Sequence, residues 1–114
     1  MNELLQELNR RGGWDWCIRS FDGDALHLSA GSSLSAVRHM VAFGGVSYLA
    51  CPSVFHHPVF RLARADERLA LGAVTALGED ELVVAIDADS TGGMALASYF
   101  IVATSATLDV PGAA

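Results

Sequence analysis

The chain has 114 residues and a formal net charge of −6, from 13 acidic side chains and seven basic ones, all of them arginine. Because domains cluster at roughly 100–150 residues, this length predicts a single domain over residues 1–114. The hydrophobic fraction of 52% excludes a disordered chain. The acidic balance argues against nucleic acid and against an anionic membrane surface as partners, since binding to either needs cations.

Cysteine usage and the apolar pattern indicate a cytoplasmic protein without a cofactor. Cys17 and Cys51 are too few for a disulfide-rich secreted fold. The first residues lack the basic segment and apolar core of a signal peptide, and no apolar run reaches the ~18 residues of a membrane helix. No phosphate-binding loop and no typical metal-ligand spacing is present, so we expect no cofactor.

The first 12 residues predict a short amphipathic helix. Leu4, Leu5 and Leu8 share one face, acidic residues come first and arginines come last, which complements the helix dipole. Gly12 can end the helix in a left-handed conformation. We expect the leucine face to pack on a larger element.

From residue 14 the apolar period changes to two, which predicts a β-hairpin. A three-residue loop at 21–23 would place Trp16 opposite Leu28 and would give one apolar face. The same loop requires Gly23 at its left-handed position. The hairpin is therefore expected to turn at Gly23.

The rest of the chain predicts further strands with short connections. Residues 34–43 fit either a strand or a helical turn, a single helical turn is predicted at 66–71, and residues 111–114 are expected to fray. Strands are predicted at 46–50, 59–63, 82–86 and 98–110. Short connections imply antiparallel neighbours. The predicted fold is α+β, with an N-terminal helix and a mainly antiparallel twisted sheet of about six strands, either open or barrel-like.

Seven apolar side chains on these strands are expected in the core: Trp16, Ile18, Leu28, Val84, Ile86, Phe100 and Val102. If the sheet closes into a barrel, aromatic side chains that include Trp14 and Tyr48 would line a cavity for a small ligand. In a domain of this size the aromatic residues more often form the core.

Two groups of residues suggest chemistry. Cys17 lies opposite His27 in the predicted hairpin, with Asp15 on the same face, and these are the residue types of a cysteine-dependent hydrolase. A flat strand surface supplies no oxyanion hole for such an enzyme, so no catalytic residue is predicted.

The second group is a possible metal site. His56, His57 and Cys51 lie in one proline-bounded loop, but adjacent histidines rarely bind one ion, and a fourth ligand would have to come from His39 or Cys17. We therefore expect no metal.

Asp87 and Asp89 follow an apolar strand and resemble the nucleophile motif of haloacid-dehalogenase-like phosphatases. Such enzymes need a basic residue downstream and a parallel sheet built after the motif. No basic residue follows Arg68, and only 23 residues follow Thr91. The resemblance therefore predicts no activity.

A longer similarity lies in residues 43–52, with the sequence F-G-G-V-S-Y-L-A-C-P, and continues at 60–63. This run resembles a group of small bacterial proteins without an established activity. The resemblance implies one compact cytoplasmic unit and transfers no site residue.

The sequence favours a non-catalytic domain that binds another protein or self-associates. One version of this hypothesis is an immunity-like protein that neutralises a basic toxin, because opposite charges would steer the two together. The alternatives are a small-ligand-binding barrel and a cysteine-dependent hydrolase.

Self-association is expected to produce a homodimer through the C-terminal strands. One face of these strands would serve the core, and Tyr99 and Ile101 on the other face would meet a second copy. Trp14 and Tyr48 are further candidates for contact with a ligand or a partner.

Overall fold

A computed structural model describes residues 2–11, 15–30, 39–90 and 97–109 of the chain. Within them lie two helices, α1 (Asn2–Arg11) and α2 (Ala65–Gly72). The strands are β1 (Asp15–Phe21), β2 (Leu26–Ala30), β3 (His39–Gly44), β4 (Tyr48–Ala50), β5 (Val54–Leu62), β6 (Leu82–Ser90), β7 (Ala97–Ala103) and β8 (Ser105–Asp109). The predicted α+β class, with an N-terminal helix and a mainly antiparallel sheet, is confirmed.

The number of strands differs from the prediction because two long strands are broken at corners. Residues 45–47 separate β3 from β4, and Thr104 alone separates β7 from β8. Residues 39–44 form a strand, whereas 34–38 and the expected frayed end at 111–114 lie outside the described residues.

The strands form one antiparallel sheet in the order β4-β7-β6-β5-β1-β2-β3-β8. The end strands β4 and β8 are not neighbours in this order, so the sheet is not closed. The chain nevertheless brings the two ends together, because β4 follows β3 and β8 follows β7 within a few residues. The sheet therefore curls around a common core in a barrel-like manner.

Hydrogen bonds hold the corner at which both long strands bend. Thr104 donates from its backbone N and from Oγ1 to the Gly44 carbonyl, at 3.0 and 3.2 Å, and Ser47 N donates to the Val102 carbonyl at 2.9 Å. Gly45 has φ +62°, and a Cβ there would overlap the Thr104 side chain. Only glycine avoids both the strain and the overlap, so the two strands can bend without separating.

Aromatic side chains from β1 and β5 form the centre of the main core. Trp16 and Phe55 stack with ring centroids 6.4 Å apart, and Phe60 meets Trp16 edge-on at 5.0 Å. The core prediction is confirmed for Trp16, Leu28, Val84, Ile86 and Val102. Ile18 and Phe100 are only half-buried, since Ile18 lies at the margin of the main core and Phe100 packs with a second cluster.

Helix α1 packs on β5 through its leucines and one asparagine. Leu5 and Leu8 are each 1% exposed and belong to the main core. Among the described residues, the pairing of β1 with β5 extends only to His56 and does not reach Phe60. The Asn9 amide binds the Phe60 backbone: Nδ2 donates to the Phe60 carbonyl at 2.7 Å, and Phe60 N donates to Asn9 Oδ1 at 2.8 Å.

The Asn9 amide predicts a specific loss of stability. Asn9→Ala leaves the Phe60 backbone groups without these two hydrogen bonds and should lower the free energy of unfolding by about 2 kcal/mol. Urea denaturation followed by tryptophan fluorescence measures this change. Gln6→Ala, on the exposed side of the same helix, is the control and should change stability by less than about 0.5 kcal/mol. Equal effects of the two substitutions would contradict the assigned role of Asn9.

The β1–β2 hairpin turns at Gly23 as predicted, but its register differs. Gly23 has φ +96°, which confirms the left-handed position. Asp22 Oδ1 accepts hydrogen bonds from the backbone N of Asp24 and Ala25 at 2.9 and 2.8 Å, which widens the turn to residues 22–25. The register also shifts between Ile18 and Ser20. The predicted three-residue loop is therefore wrong, although the buried face of β1 is correct.

Gly23 supplies a second prediction. A Cβ at Gly23 would meet no atom within 4 Å, so Gly23→Val should act through backbone strain alone and should cost about 1–3 kcal/mol. Gly72→Val is the matched control, because Gly72 is also surrounded by open space but lacks a left-handed φ. Thermal or urea unfolding that shows no larger loss at Gly23 would contradict the role of the turn.

Candidate functional site

Three loops meet at one end of the curled sheet. The β1–β2 turn is joined to the β3–β4 corner by a hydrogen bond from Val46 N to the Asp24 carbonyl at 2.9 Å. The next residue, Ser47, donates from Oγ to the Glu81 carboxylate in the loop before β6. We call the acidic side chains of these loops the acidic rim: Asp22, Asp24, Glu79, Asp80 and Glu81.

Hydrogen bonds keep two carboxylates of the acidic rim ionised. The backbone N–H groups of Ala25 and Asp24 lower the pKa of Asp22. The Ser47 hydroxyl, followed by Gly78 N at 2.7 Å, lowers the pKa of Glu81. Both side chains are therefore fixed as hydrogen-bond acceptors and keep their negative charge well below neutral pH.

Acidic side chains elsewhere in the described chain are mostly paired with a basic group. The pairs are Glu7 with Arg10, Asp15 with His56, Asp66 with Arg64, Glu67 with both Arg61 and Arg64, Asp87 with Arg61, and Asp89 with His57. Among the described residues, no salt bridge joins the acidic rim to an arginine or histidine. Of the carboxylates that the structure describes, the acidic rim is thus the largest group that forms no salt bridge.

Cys17, His27 and Asp15 are not brought together, which corrects the grouping expected from sequence. Cys17 pairs with Ser29, and Cys17 Sγ lies 3.5 Å from Ser29 Oγ. His27 Nδ1 instead lies 3.1 Å from Ser20 Oγ. The reason is the register of β1 against β2, which is offset from the predicted one by two residues up to Ile18 and by three from Ser20 onwards.

Asp15 contacts a different histidine, which sequence reasoning had placed in a loop. Asp15 Oδ1 lies 2.8 Å from His56 Nδ1, and Asp89 Oδ2 lies 3.4 Å from His57 Nδ1. His57 adopts φ +53° within an irregularity of β5, so adjacent histidines reach strands on opposite sides. The Asp15–His56 pair resembles the aspartate–histidine pair of a catalytic triad. The Cys17 thiol, however, contacts the Ser29 hydroxyl.

The surroundings of Cys51 do not favour metal binding. Its half-buried side chain packs against the main core, and its Sγ donates to the Pro52 carbonyl at 3.2 Å. Burial raises the pKa of the Cys51 thiol to about 12, which disfavours the thiolate that a metal would need. Among the residues that the structure describes, no group of three or more histidine, cysteine or acidic side chains could hold a metal ion.

The predicted interface on the C-terminal strands is corrected by the burial of β7 on both faces. Ile101 is 0% exposed and Tyr99 is half-buried, and both pack in the main core. Val102 and Phe100 face the other way and pack with Leu71 of α2. Helix α2 thus covers the face that was expected to serve the core, and the main core buries the face for which a second copy was expected.

Tyr48 and Trp14 are the two remaining candidates for contact with a ligand or a partner. Tyr48 is half-buried and packs against the cluster formed with Leu71. Trp14 lies outside the described residues.

A partly buried arginine cluster holds α2 against the sheet, and sequence reasoning missed it. Arg61 binds Glu67 through Nη1 and Nη2 at 2.6 and 2.9 Å, and binds Asp87 through Nε and Nη2 at 2.8 and 3.1 Å. Ser98 Oγ adds a third contact to Asp87, at 2.6 Å. Asp87, the first aspartate of the phosphatase-like motif, is therefore engaged in an ion pair with Arg61. The acidic run at 66–67 and the isolated Arg61 were the available sequence clues.

Comparison with protein-family models, with curated proteins and with solved structures finds no match. In the described ranges, neither helix is long and apolar enough to cross a membrane.

The arginine cluster predicts a pH-dependent contribution to stability. Hydrogen bonding to Arg61 lowers the pKa of Glu67 from 4.5 to about 2. Because the folded protein keeps this carboxylate ionised where the unfolded chain takes up a proton, the stabilisation is present above pH 4.5 and is lost as the pH falls towards 2. Glu67→Gln should therefore destabilise by about 2 kcal/mol at neutral pH, and the difference from wild type should shrink in acid.

Urea denaturation at several pH values measures both effects. Asp66→Asn is the control, because its ion pair with Arg64 is largely exposed and should contribute less than about 0.5 kcal/mol. A difference between Glu67→Gln and wild type that stayed constant down to about pH 2 would contradict the assigned ion pair.

Proposed function

We propose that this chain is a non-catalytic cytoplasmic domain that binds a cationic protein surface through the acidic rim. The observation that carries the proposal is the distribution of charge: acidic side chains elsewhere are mostly paired, and those of the rim are not. The five carboxylates of the rim, in a chain with a net charge of −6, would steer a basic partner towards one end of the sheet.

The form of the rim supports a macromolecular partner. Four of its five side chains are exposed, and they come from loops that are joined by hydrogen bonds. Asp22 and Glu81 are held by backbone and hydroxyl donors, which limits the entropy lost when a partner binds. An immunity-like protein that neutralises a basic toxin is one form that this function could take.

The competing functions have less support. A cysteine-dependent hydrolase would need Cys17 and a histidine in contact, whereas Cys17 Sγ lies against Ser29 Oγ. A ligand-binding barrel would need space among the aromatic rings, but Trp16, Phe55 and Phe60 pack against one another. A homodimer remains a prediction that would need a surface other than the one expected.

A charge-neutralising variant tests the proposal. Asp24→Asn, Glu79→Gln and Asp80→Asn are combined, because these side chains make no described hydrogen bond or ion pair. The binding of a fluorescein-labelled peptide of alternating lysine and serine is measured by anisotropy at low ionic strength. The triple variant should bind about tenfold more weakly than wild type, and added salt should remove the difference.

A second triple variant with the same change in net charge is the matched control. It carries Glu3→Gln, Glu7→Gln and Asp66→Asn, which lie on the helices. This control should bind the peptide nearly as well as wild type. Equal weakening in the two triple variants would mean that only net charge matters, and the proposed surface would be wrong.

A further inference from the structure

The stretch that leads into the acidic rim contains no charged residue. Residues 69–78, with the sequence L-A-L-G-A-V-T-A-L-G, form the end of α2 and the connection to the acidic loop at 79–81. We call this stretch the uncharged segment. Two of its leucines, Leu71 and Leu77, pack inward with the cluster that covers β7.

The outward side of the uncharged segment is apolar and exposed. Leu69 is 81% exposed and Val74 is 67% exposed, the highest values among the large hydrophobic side chains described as exposed. Ala70 and Ala73 are exposed beside them. Backbone hydrogen bonds from Val74 N and Thr75 N to the Leu71 carbonyl, each 2.9 Å, continue the helical turn past the end of α2. The two exposed side chains are therefore presented on ordered backbone.

Exposure of this kind forgoes the stabilisation that burial would provide. Burying a leucine or valine side chain contributes about 1.5–3 kcal/mol, so large apolar side chains left exposed on an ordered helix end are available for contact with a partner. Leu71 shows that the helix already places one leucine inward, so Leu69 and Val74 are additional to what the fold requires.

The uncharged segment leads directly into the acidic rim along the chain. Gly78 ends the uncharged segment, and its backbone N donates to Glu81 Oε1 at 2.7 Å. The cationic groups of α2 lie at its other end, where Arg64 bonds to Asp66 and Glu67 and Arg68 is half-buried. The uncharged segment therefore runs from a cationic end at Arg64 and Arg68 to the carboxylates without an ion pair that follow Gly78.

The carboxylates at the end of the uncharged segment indicate which kind of partner would bind there. A second copy of the chain carries the same excess of acidic side chains, so it supplies fewer cations to the rim than a basic partner does. A helix with leucine-like side chains on one face and cations along its flank would satisfy the apolar side chains and the carboxylates together.

We propose that the uncharged segment and the acidic rim form one docking surface for a cationic amphipathic helix of a partner protein. This inference rests on the proposed function and adds the apolar half of the contact. Leu69 and Val74 pack against the apolar face of that helix, and Glu79 and Asp80 face its cations.

Two peptides of equal charge separate the apolar contribution from the electrostatic one. One is the lysine–serine peptide, and the other carries the same number of lysines with leucines at helical spacing. Fluorescence anisotropy with the wild-type chain should show about tenfold tighter binding of the lysine–leucine peptide. Equal affinity for the two peptides would overturn the inference.

Variants assign that preference to the uncharged segment. The double variant Leu69→Ser and Val74→Ser should reduce the preference to about twofold or less, while its affinity for the lysine–serine peptide stays unchanged. The matched control, Val54→Ser and Val59→Ser, removes exposed valines of β5 and should keep the full preference. A preference that survived in the first double variant, or was lost equally in the control, would overturn the inference. Circular dichroism verifies that both double variants remain folded.

The same measurements distinguish this inference from the proposed function. If the variant with Asp24→Asn, Glu79→Gln and Asp80→Asn binds the lysine–serine peptide like wild type, the proposed function fails. If only the preference for the leucine-bearing peptide is absent, the proposed function stands and the further inference fails. Sedimentation equilibrium completes the test: a wild-type dimer that Leu69→Ser and Val74→Ser dissociate would identify the occupant as a second copy and overturn the inference.

Discussion

The bend at Gly45 and Thr104 is the constraint on which the rest of the structure depends. Two long strands turn there together, held by the hydrogen bonds from Thr104 to the Gly44 carbonyl. The ends of one open sheet are thereby joined through the chain, and the apolar faces of its strands meet in a common core. The same bend carries Val46 and Ser47 against the hairpin turn and the loop before β6. The acidic rim is thus a direct consequence of how the sheet curls.

Charged side chains play two different roles in this protein: some form ion pairs within the fold, and those of the acidic rim do not. Arg61 lies between the Glu67 and Asp87 carboxylates, all at most about one-third exposed, where removing one partner leaves an uncompensated charge. The carboxylates of the acidic rim are mostly exposed and cost little to keep, but they repel one another and gain little from the fold. Helix α2 connects the two regions: the arginine cluster holds its first turn, and its uncharged end leads to the rim. In the described part of the chain, no basic side chain forms a salt bridge with the rim, so a cation would have to come from a partner.

The outer face of β1 and β5 shows why residue types alone do not define a catalytic site. Cysteine, histidine and aspartate all occur there, but cross-strand register decides which side chains meet. The β1–β2 register places Cys17 opposite Ser29, and its shift after Ile18 places Ser20 opposite His27. The β1–β5 register places Asp15 opposite His56. The irregularity at His57 then directs a second histidine towards Asp89. The resulting pairs link three strands across a disrupted part of the ladder.

Local physics made much of the fold predictable from sequence alone. The leucine spacing of α1, the alternation around Trp16 and the turn at Gly23 each depend on residues close in the chain, and the α+β class followed from them. The acidic excess was also visible, but its location was not, because pairing with Arg61 or His56 joins residues far apart in sequence. The faces of β7 were predicted in reverse, since both faces are apolar and only the packing of α2 decides which side meets the main core. Non-local register and helix docking are set by the total packing of the core, so the acidic rim and the exposed side chains beside it were decided only by the tertiary structure.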